Sequence, residues 1–200
     1  MKKIYKQNDA DYDVSLYFSR EVEVLRHIRH PHCVRFLGIA QDADLYLVTE
    51  LIKGGDLRRR LKNGFMPWTD RVRVALQVAS ALAYLHRNHF IHRDVKTENV
   101  LLDENNDAKL CDFGFSRTAG GDDKKKGMTF CGSEWFEAPE IMFCMDYDER
   151  IDVFSYGVIL CELVSRKEPG MSVFKRVVPG FGINPDEILC VILCTFSPFS

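Results

Sequence analysis

The stretch "FIHRDVKTENVLL", residues 90–102, decides the fold of this chain. Apolar residues flank a dense group of polar side chains that includes Asp94, Lys96 and Asn99. Asp94 and Asn99 carry oxygen ligands of the kind that Mg²⁺ prefers, and Lys96 is near enough to steady a negative group on which Asp94 acts. So much charge between two segments that favour burial predicts a loop that carries chemistry.

The composition of the whole chain describes an ordinary globular protein. Of 200 residues, 46% are hydrophobic and 28% are charged, which is enough apolar material for one sizeable core. A formal net charge of -2 predicts neither nucleic acid nor an anionic membrane as the main partner. No signal peptide is recognisable, and the longest apolar run, residues 188–196, is too short to cross a bilayer. We therefore expect no membrane insertion and a cytoplasmic location, with the nucleus as the alternative.

The cysteines indicate a reducing environment. There are seven of them, an odd number, and most lie inside apolar segments. The sequence contains no CxxC pair, which would have suggested a zinc site. We interpret them as reduced, buried thiols.

The first quarter of the chain has one helical pattern and two strand patterns. Residues 33–40, "CVRFLGIA", and 44–51, "DLYLVTEL", favour strands, and "KGGDL" at 53–57 supplies a glycine break. The helical pattern before them places one carboxylate in an apolar stripe, which comprises Tyr17, Phe18, Glu21, Val24, Leu25 and Ile28.

The remainder of the chain is mainly helical in pattern. "ENND" at 104–107 predicts a hairpin turn, residues 115–137 predict a long mobile loop, and residues 152–164 predict a buried helix. A cleft between the strand-bearing and helical parts is the expected ligand site. A long helix is predicted from Thr69 as N-cap, with helical spacing at Val72, Ala75, Leu76, Ala79, Leu82, Ala83 and His86.

Three motifs in order carry a family resemblance. "HRDVKTEN" at 92–99, "DFG" at 112–114 and "APE" at 138–140 resemble the catalytic loop, magnesium loop and activation-segment end of eukaryotic protein kinases. The chain looks most similar to the tyrosine-kinase-like group, and within it to the LIM-domain and testis-specific kinases. The resemblance implies an α+β, two-lobe protein-kinase-like fold. It implies a single partial domain, with an incomplete antiparallel-sheet N-lobe at 1–52, a mainly helical C-lobe at 53–188 and an atypical tail at 189–200.

The resemblance also implies catalytic roles and two cofactors, ATP and Mg²⁺. Asp94 would orient the substrate hydroxyl and accept its proton, and Lys96 would offset charge on the transferring phosphoryl group. Asn99 and Asp112 would hold the magnesium ions. Buried residues would form a stack that links the lobes, namely Leu25, Phe36, His92 and Phe113.

Further residues resemble the nucleotide site of kinases. Glu21 would pair with a strand lysine, and strand alternation favours Lys2 because it shares a face with apolar Ile4. The remaining positions would surround the nucleotide: Thr49 behind the adenine, backbone groups of Glu50 and Ile52 at the hinge, Asp56 at the ribose and Leu101 as the floor.

The substrate class follows from the same resemblance. Lys96, two residues after Asp94, and the hydroxyl residue Ser133 are similar to the pattern of serine/threonine kinases, so the expected reaction is phosphoryl transfer to protein Ser/Thr hydroxyls. Arg93 beside Asp94 implies regulation by a phosphate on the activation loop, and Thr129 is the predicted phosphosite. Partners are then a protein substrate and an upstream activating kinase.

The chain departs from the family pattern at both ends. It begins at the strand that carries Lys2, without a glycine-rich loop, and "LCVILCTFSPFS" stands where a kinase would continue. We expect a domain truncated at both ends. A non-catalytic, pseudokinase-like binding module or an inactive truncated fragment is the alternative, but the intact Asp94, Lys96, Asn99 and Asp112 favour an enzyme.

Overall fold

The computed structural model describes residues 2–4, 12–42, 44–118, 135–170, 174–177, 180 and 182–189. The first part of the chain contributes β1 (Lys2–Ile4), α1 (Tyr12–His27), β2 (Phe36–Gln41) and β3 (Leu45–Thr49). The three strands form an antiparallel sheet in the order β1-β3-β2. In its register Lys2 lies opposite Leu47.

The amphipathic helix predicted from the sequence is α1, and its apolar stripe is confirmed. Each described member of the stripe is buried, whereas the Tyr17 side chain lies outside the described part of the structure. The stripe packs against the sheet and the helical part in one core because these side chains repeat at helical spacing. The buried members are Phe18, Glu21, Val24, Leu25 and Ile28.

The rest of the chain is mainly helical, which confirms the α+β, kinase-like fold class. Its helices are α2 (Leu57–Asn63), α3 (Trp68–Arg87), α4 (Pro139–Met142) and α5 (Arg150–Ser165), with a 3-10 turn at Thr97–Asn99 and a helical stretch at 185–189. Among the described residues, no helix combines the length and apolarity needed to cross a bilayer. Strand pairs join β4 (Phe90–Ile91) to β7 (Arg117–Thr118), β5 (Val100–Leu102) to β6 (Ala108–Leu110), and β8 (Arg176–Val177) to β9 (Gly182–Ile183).

The long helix α3 corrects two details of the sequence prediction. Thr69 is not its N-cap: Pro67 holds that place, and its carbonyl accepts the N–H of Asp70 and of Arg71, each at 3.1 Å. The fixed backbone angle of Pro67 starts the helix earlier than a hydroxyl cap would. The buried face is also rotated away from Val72 and Leu76, which are exposed, and comprises Val74, Val78, Ala81, Leu82 and Leu85.

The hairpin turn at 104–107 is confirmed. Asp103 Oδ1 accepts the N–H of Asn105 at 2.8 Å and of Asp107 at 2.9 Å, and Asn106 takes a positive φ of 61°. Asn tolerates that conformation because its side chain is short and polar. The loop predicted at 115–137 begins differently, because 117–118 pair as β7; residues 119–134 lie outside the described residues.

The helix predicted at 152–164 is α5, and within 152–164 the side chains are buried or half-buried with the exception of Val153. The Tyr156 hydroxyl of α5 donates to the Ala75 carbonyl of α3 at 3.0 Å. Arg71 of α3 donates to the Leu163 carbonyl near the end of α5 at 3.1 Å. These contacts fix α5 against α3.

Gly54 allows the linker after β3 to approach β5, and an alanine there should destabilise the fold. Its N–H donates to the Leu102 carbonyl at 2.9 Å, and an added Cβ would lie 2.5 Å from that oxygen. We expect Gly54→Ala to lower the free energy of unfolding by about 1–3 kcal/mol in urea titrations followed by circular dichroism. Gly157→Ala is the control, because its Cβ would meet nothing within 4 Å. Equal effects from the two substitutions would contradict this account.

Candidate active site

The polar side chains of the stretch 90–102 converge on Asp94. Its carboxylate is 6% exposed and accepts Lys96 Nζ at 2.9 Å and Asn99 Nδ2 at 2.7 Å. Asn99 Nδ2 also donates to the Asp94 carbonyl at 2.8 Å. The loop therefore presents a buried carboxylate that a cation and an amide hold in one orientation.

His92 joins this loop to the segment that ends at Asp112. Its Nε2 lies 3.1 Å from the Cys111 carbonyl, and its Nδ1 lies 3.3 Å from the Asp94 N–H. These partners assign the proton to Nε2, because a carbonyl accepts and an N–H donates. The ring is fully buried and contacts Phe113, with ring centroids 5.0 Å apart. His92 is thus a structural residue, as the sequence predicted.

The predicted stack of buried residues has one contact that the structure shows directly, between His92 and Phe113, and its full arrangement stays a prediction. Leu25 and Phe113 are buried in one core, and the half-buried Phe36 packs against it. His92 contacts Phe113 from the catalytic-loop side. These residues belong to α1, the sheet and the loops that carry Asp94 and Asp112, which all contribute to or border one core.

Asp152 anchors the start of the loop, and the sequence interpretation missed it. This fully buried carboxylate of α5 accepts the backbone N–H groups of His92 and Arg93, each at 2.8 Å, and His86 Nε2 at 2.9 Å. The signal in the sequence was a carboxylate in an otherwise apolar helix, because such a group is costly to bury without partners. Asp152 therefore fixes the backbone immediately before Asp94.

A cavity of about 250 Å³ lies beside the loop, between the sheet, α1 and β5. It brings together four residues predicted for the nucleotide and metal site, Glu21, Thr49, Leu101 and Asp112. Glu21 is a buried carboxylate on its wall. The other lining residues are Leu25, Val34, Leu47 and Cys111.

Two backbones at the site adopt the sparsely populated left-handed region. Arg93 has φ 71° and Asp112 has φ 62°. Such conformations cost of order 1–3 kcal/mol and persist where the surroundings fix them. The Asp152 carboxylate accepts the Arg93 N–H, and Phe113, the residue after Asp112, is fully buried.

The side chains of Glu50 and Asp56 make hydrogen bonds within the protein, and the predicted roles of the Glu50 backbone and of Asp56 at the nucleotide stay predictions. Glu50 Oε1 accepts Lys109 Nζ at 2.9 Å and the Arg35 N–H at 2.8 Å, on another cavity wall. Burial alone would raise the pKa of Glu50, but these donors hold it below its usual value. Asp56 caps α2, because its Oδ1 accepts the Arg59 N–H at 2.7 Å.

The remaining predicted site positions are Lys2, Ile52, Arg93 and Thr129. Ile52 is half-buried in the linker between β3 and α2. The Lys2 side chain and Thr129 lie outside the described part of the structure, although the backbone of Lys2 is paired with that of Leu47, a cavity residue. Arg93 donates from Nη1 to the Phe115 carbonyl at 3.4 Å, beside the segment that follows Asp112.

Four cysteines among the described residues are free thiols, namely Cys33, Cys111, Cys144 and Cys161. Burial raises the pKa of the Cys33 thiol to about 12, which makes it unreactive. Cys144 is exposed, contrary to the expectation of buried thiols. Cys111 is half-buried at the cavity.

Comparisons with known proteins agree with this geometry. Residues 1–176 match the protein kinase domain family. A RasGEF domain-containing serine/threonine-protein kinase X of Dictyostelium discoideum is 41% identical over 100% of the chain and 22% of that relative. The probable serine/threonine-protein kinase kinX of the same organism is 43% identical over 100% of the chain and 18% of the relative.

The chain spans about a fifth of the length of these relatives. Their names do not test the finer resemblance to the tyrosine-kinase-like group, which stays a prediction. The family match covers the catalytic loop, the segment of Asp112 and the cavity that we describe above. The chain therefore belongs to the protein kinase domain family, whose members use ATP and a divalent metal ion and act on protein substrates.

Proposed function

We propose that this domain transfers the γ-phosphoryl group of ATP to serine and threonine hydroxyls of proteins. The observation that carries the proposal is the buried Asp94 carboxylate, held by Lys96 and Asn99 next to a cavity lined by Asp112. Phosphoryl transfer needs positioning and charge neutralisation more than covalent participation by the protein. The site has both of these features.

Asp94 is the proton acceptor in this proposal. Its carboxylate is held by Lys96 and Asn99, so it can meet the hydroxyl of a protein substrate in a fixed orientation. The Lys96 side chain is 18% exposed, so its ammonium can also reach the phosphoryl group that approaches from the cleft. One cation then serves both the acceptor and the transferring group.

Asn99 and Asp112 fit the requirements of a magnesium site. The amide nitrogen of Asn99 donates hydrogen bonds to Asp94, so the amide oxygen is the atom that would bind the metal. Asp112 adds a carboxylate at the cavity wall. Mg²⁺ prefers such oxygen ligands, so Asn99 and Asp112 would hold it, and it would supply positive charge against the phosphates of ATP.

The cavity beside Asp112 is the proposed nucleotide site. Thr49 and Leu101 line it, and we assign them to the back and floor of the adenine pocket. Ile52 would contribute its backbone N–H. Glu50 would contribute its carbonyl, because its N–H already donates to the Arg35 carbonyl at 2.9 Å. Asp56 would reach the ribose through Oδ2, since Oδ1 caps α2.

Lys2 and Glu21 complete the proposed phosphate site. Glu21 is 4% exposed at the cavity wall, and a buried carboxylate favours a cationic partner. Pairing of Lys2 with Leu47 in the sheet supports Lys2 as the cation that meets both Glu21 and the ATP phosphates.

Regulation by an upstream kinase belongs to the same proposal. The Arg93 N–H is bound by Asp152, and its guanidinium donates to the Phe115 carbonyl at 3.4 Å, at the start of the activation segment. A phosphate on Thr129 would pair with such a guanidinium and order the segment. A cytoplasmic location is also part of the proposal, supported by the free thiols.

Asp112→Asn tests the nucleotide and metal site. We expect this variant to weaken Mg²⁺-dependent ATP binding by at least about tenfold in calorimetric titrations, because it removes a charged metal ligand. Asp186→Asn is the matched control, an exposed aspartate that should leave binding unchanged. ATP binding that is metal-independent and equal in both variants would instead support a binding module that resembles a pseudokinase.

A further inference from the structure

A second buried carboxyl lies beneath the catalytic loop, and none of the roles above uses it. Glu162 of α5 is 3% exposed, and its Oε2 accepts the Thr97 hydroxyl at 2.8 Å. Thr97 itself is fully buried. An ionisable group or a hydroxyl is costly to bury unless it has a hydrogen-bond partner, and here each group is the partner of the other. This contact therefore helps to fix the position of the loop on α5.

Thr97 begins the short turn that carries the residues next to Asp94. Lys96 precedes it in extended conformation, and the Asn99 N–H closes the turn onto the Lys96 carbonyl at 3.0 Å. The hydroxyl of Thr97 is the bond by which this turn meets α5. A displacement of Thr97 would therefore move Lys96 and Asn99 together.

The loop is fixed to α5 at two points. Asp152 binds the backbone N–H groups of His92 and Arg93, and Glu162 binds Thr97. Ten residues separate the two carboxyls, which is about 15 Å along a helix axis. Residues 94–96 thus lie between two anchors on the same helix.

We propose that Glu162 is a positioning residue: through the Thr97 hydroxyl it sets where Lys96 and Asn99 stand relative to Asp94. This inference rests on the proposed phosphoryl transfer for its effect on rate, but the positional link is a property of the fold itself. Glu162 touches neither nucleotide nor protein substrate in this role.

The charges around Glu162 make the link sensitive to pH. Burial raises the pKa of Glu162 to about 7; the negative charge of Glu98 acts in the same direction, and the Thr97 hydroxyl and the Arg58 guanidinium oppose it. Arg58 of α2 ion-pairs with both Glu98 and Glu168. The neighbouring Cys161 thiol has its pKa raised by burial and by Glu162.

Protonation changes the direction of the hydrogen bond. A neutral Glu162 can donate to Thr97, whose hydroxyl can then donate to Glu98 Oε2 at 3.3 Å. An ionised Glu162 must accept the Thr97 proton instead. Because the pKa of Glu162 is higher in the folded chain than its usual value of 4.5, the free energy of unfolding is highest, as far as Glu162 is concerned, below pH 4.5. This contribution is lost as the pH rises to about 7 and Glu162 ionises.

The test compares Thr97→Val with Thr97→Ser. Valine keeps the shape but removes the hydroxyl, whereas serine keeps it. We expect Thr97→Val to lower kcat about 10- to 100-fold with little change in the KM for ATP, and Thr97→Ser to retain most of the activity. Thr118→Val, at an exposed threonine of β7, controls for the substitution itself. Equal activity in all variants, or equal loss in the valine and serine variants, would overturn the proposal.

Two further readouts separate this inference from the proposed function. In amide hydrogen exchange, Thr97→Val should speed exchange at residues 96–99 and leave α5 protected, whether or not the chain transfers phosphate. Unchanged exchange there would overturn the positional link even in an active enzyme. Glu162→Gln keeps a hydrogen-bonding group without titration, so it should remove the loss of stability that the wild type shows between about pH 4.5 and 7.

Discussion

Asp94→Asn is expected to lower kcat for phosphoryl transfer by about 10²- to 10⁴-fold, the usual contribution of a general base. The amide is close in shape to the carboxylate, but it cannot accept the substrate proton. It also loses the charge that Lys96 and Asn99 now bind, each through contacts of 2.7–2.9 Å. The measurement is steady-state kinetics with radiolabelled ATP and a generic protein substrate.

The contrast with the metal-site variant makes this prediction specific. Asp94→Asn should keep Mg²⁺-dependent ATP binding, since Asp94 does not line the nucleotide cavity, whereas Asp112→Asn should lose it. Asp186→Asn should keep both properties because this aspartate is exposed. Wild-type kcat in the Asp94→Asn protein would remove Asp94 from the role of proton acceptor.

Asp152→Ala is expected to lower the free energy of unfolding by about 3–5 kcal/mol, because it removes the acceptor of three hydrogen-bond donors inside the fold. These donors are the N–H groups of His92 and Arg93 and the ring of His86, and Asp152 is fully buried. Domains of this kind have only about 5–15 kcal/mol in total, so the variant should unfold at much lower urea concentration. Circular dichroism in urea gives the measurement.

Two control variants show whether the loss of stability comes from the hydrogen bonds of Asp152. Asp152→Asn keeps one acceptor oxygen and should be less destabilising than alanine. Asp148→Ala removes an exposed partner of Arg150 and should cost no more than about 1 kcal/mol, as surface ion pairs do. If Asp152→Ala and Asp148→Ala had the same effect, the anchoring role of Asp152 would be wrong.

Local patterns in the sequence were sufficient for much of the fold. The hairpin after Leu102 follows from Asp103, whose side chain accepts two backbone N–H groups of the turn, and from Asn106, which tolerates a positive φ. The buried stripe of α1 follows from helical periodicity. Both features depend on residues within a few positions of each other, and such interactions can be recognised without knowledge of the rest of the chain.

Contacts between distant segments could not be predicted in the same way. Glu50 meets Lys109, Asp152 meets His92, and Thr97 meets Glu162, across separations of 59, 60 and 65 residues. Only the packing of α5 under the catalytic loop and of the sheet against β6 brings these groups together. The buried face of α3 cannot be predicted from its own sequence for the same reason. Val72 and Leu76 are exposed although they are as apolar as the buried Val74 and Val78.

The proposed active site rests on motif order, which the sequence shows, and not on geometry, which it does not show. Asp94, Lys96 and Asn99 were recognised together, and the structure adds how they bind one another. Their support by Asp152 and Glu162 has no short-range signal beyond a carboxylate within an apolar helix. A helix with two buried carboxylates indicates that polar groups of another segment contact it.

The measurement that tests the central claim most directly is transfer of radiolabelled γ-phosphate from ATP to a basic protein, with Mg²⁺ present or chelated, followed by identification of the labelled residues. Wild-type chain should label serine and threonine only with Mg²⁺, and Asp94→Asn should abolish labelling while Asp186→Asn preserves it. Equal labelling by wild type and Asp94→Asn, or no labelling by a folded wild-type chain that binds Mg²⁺-dependent ATP, would contradict the assignment of this site as a protein serine/threonine kinase centre.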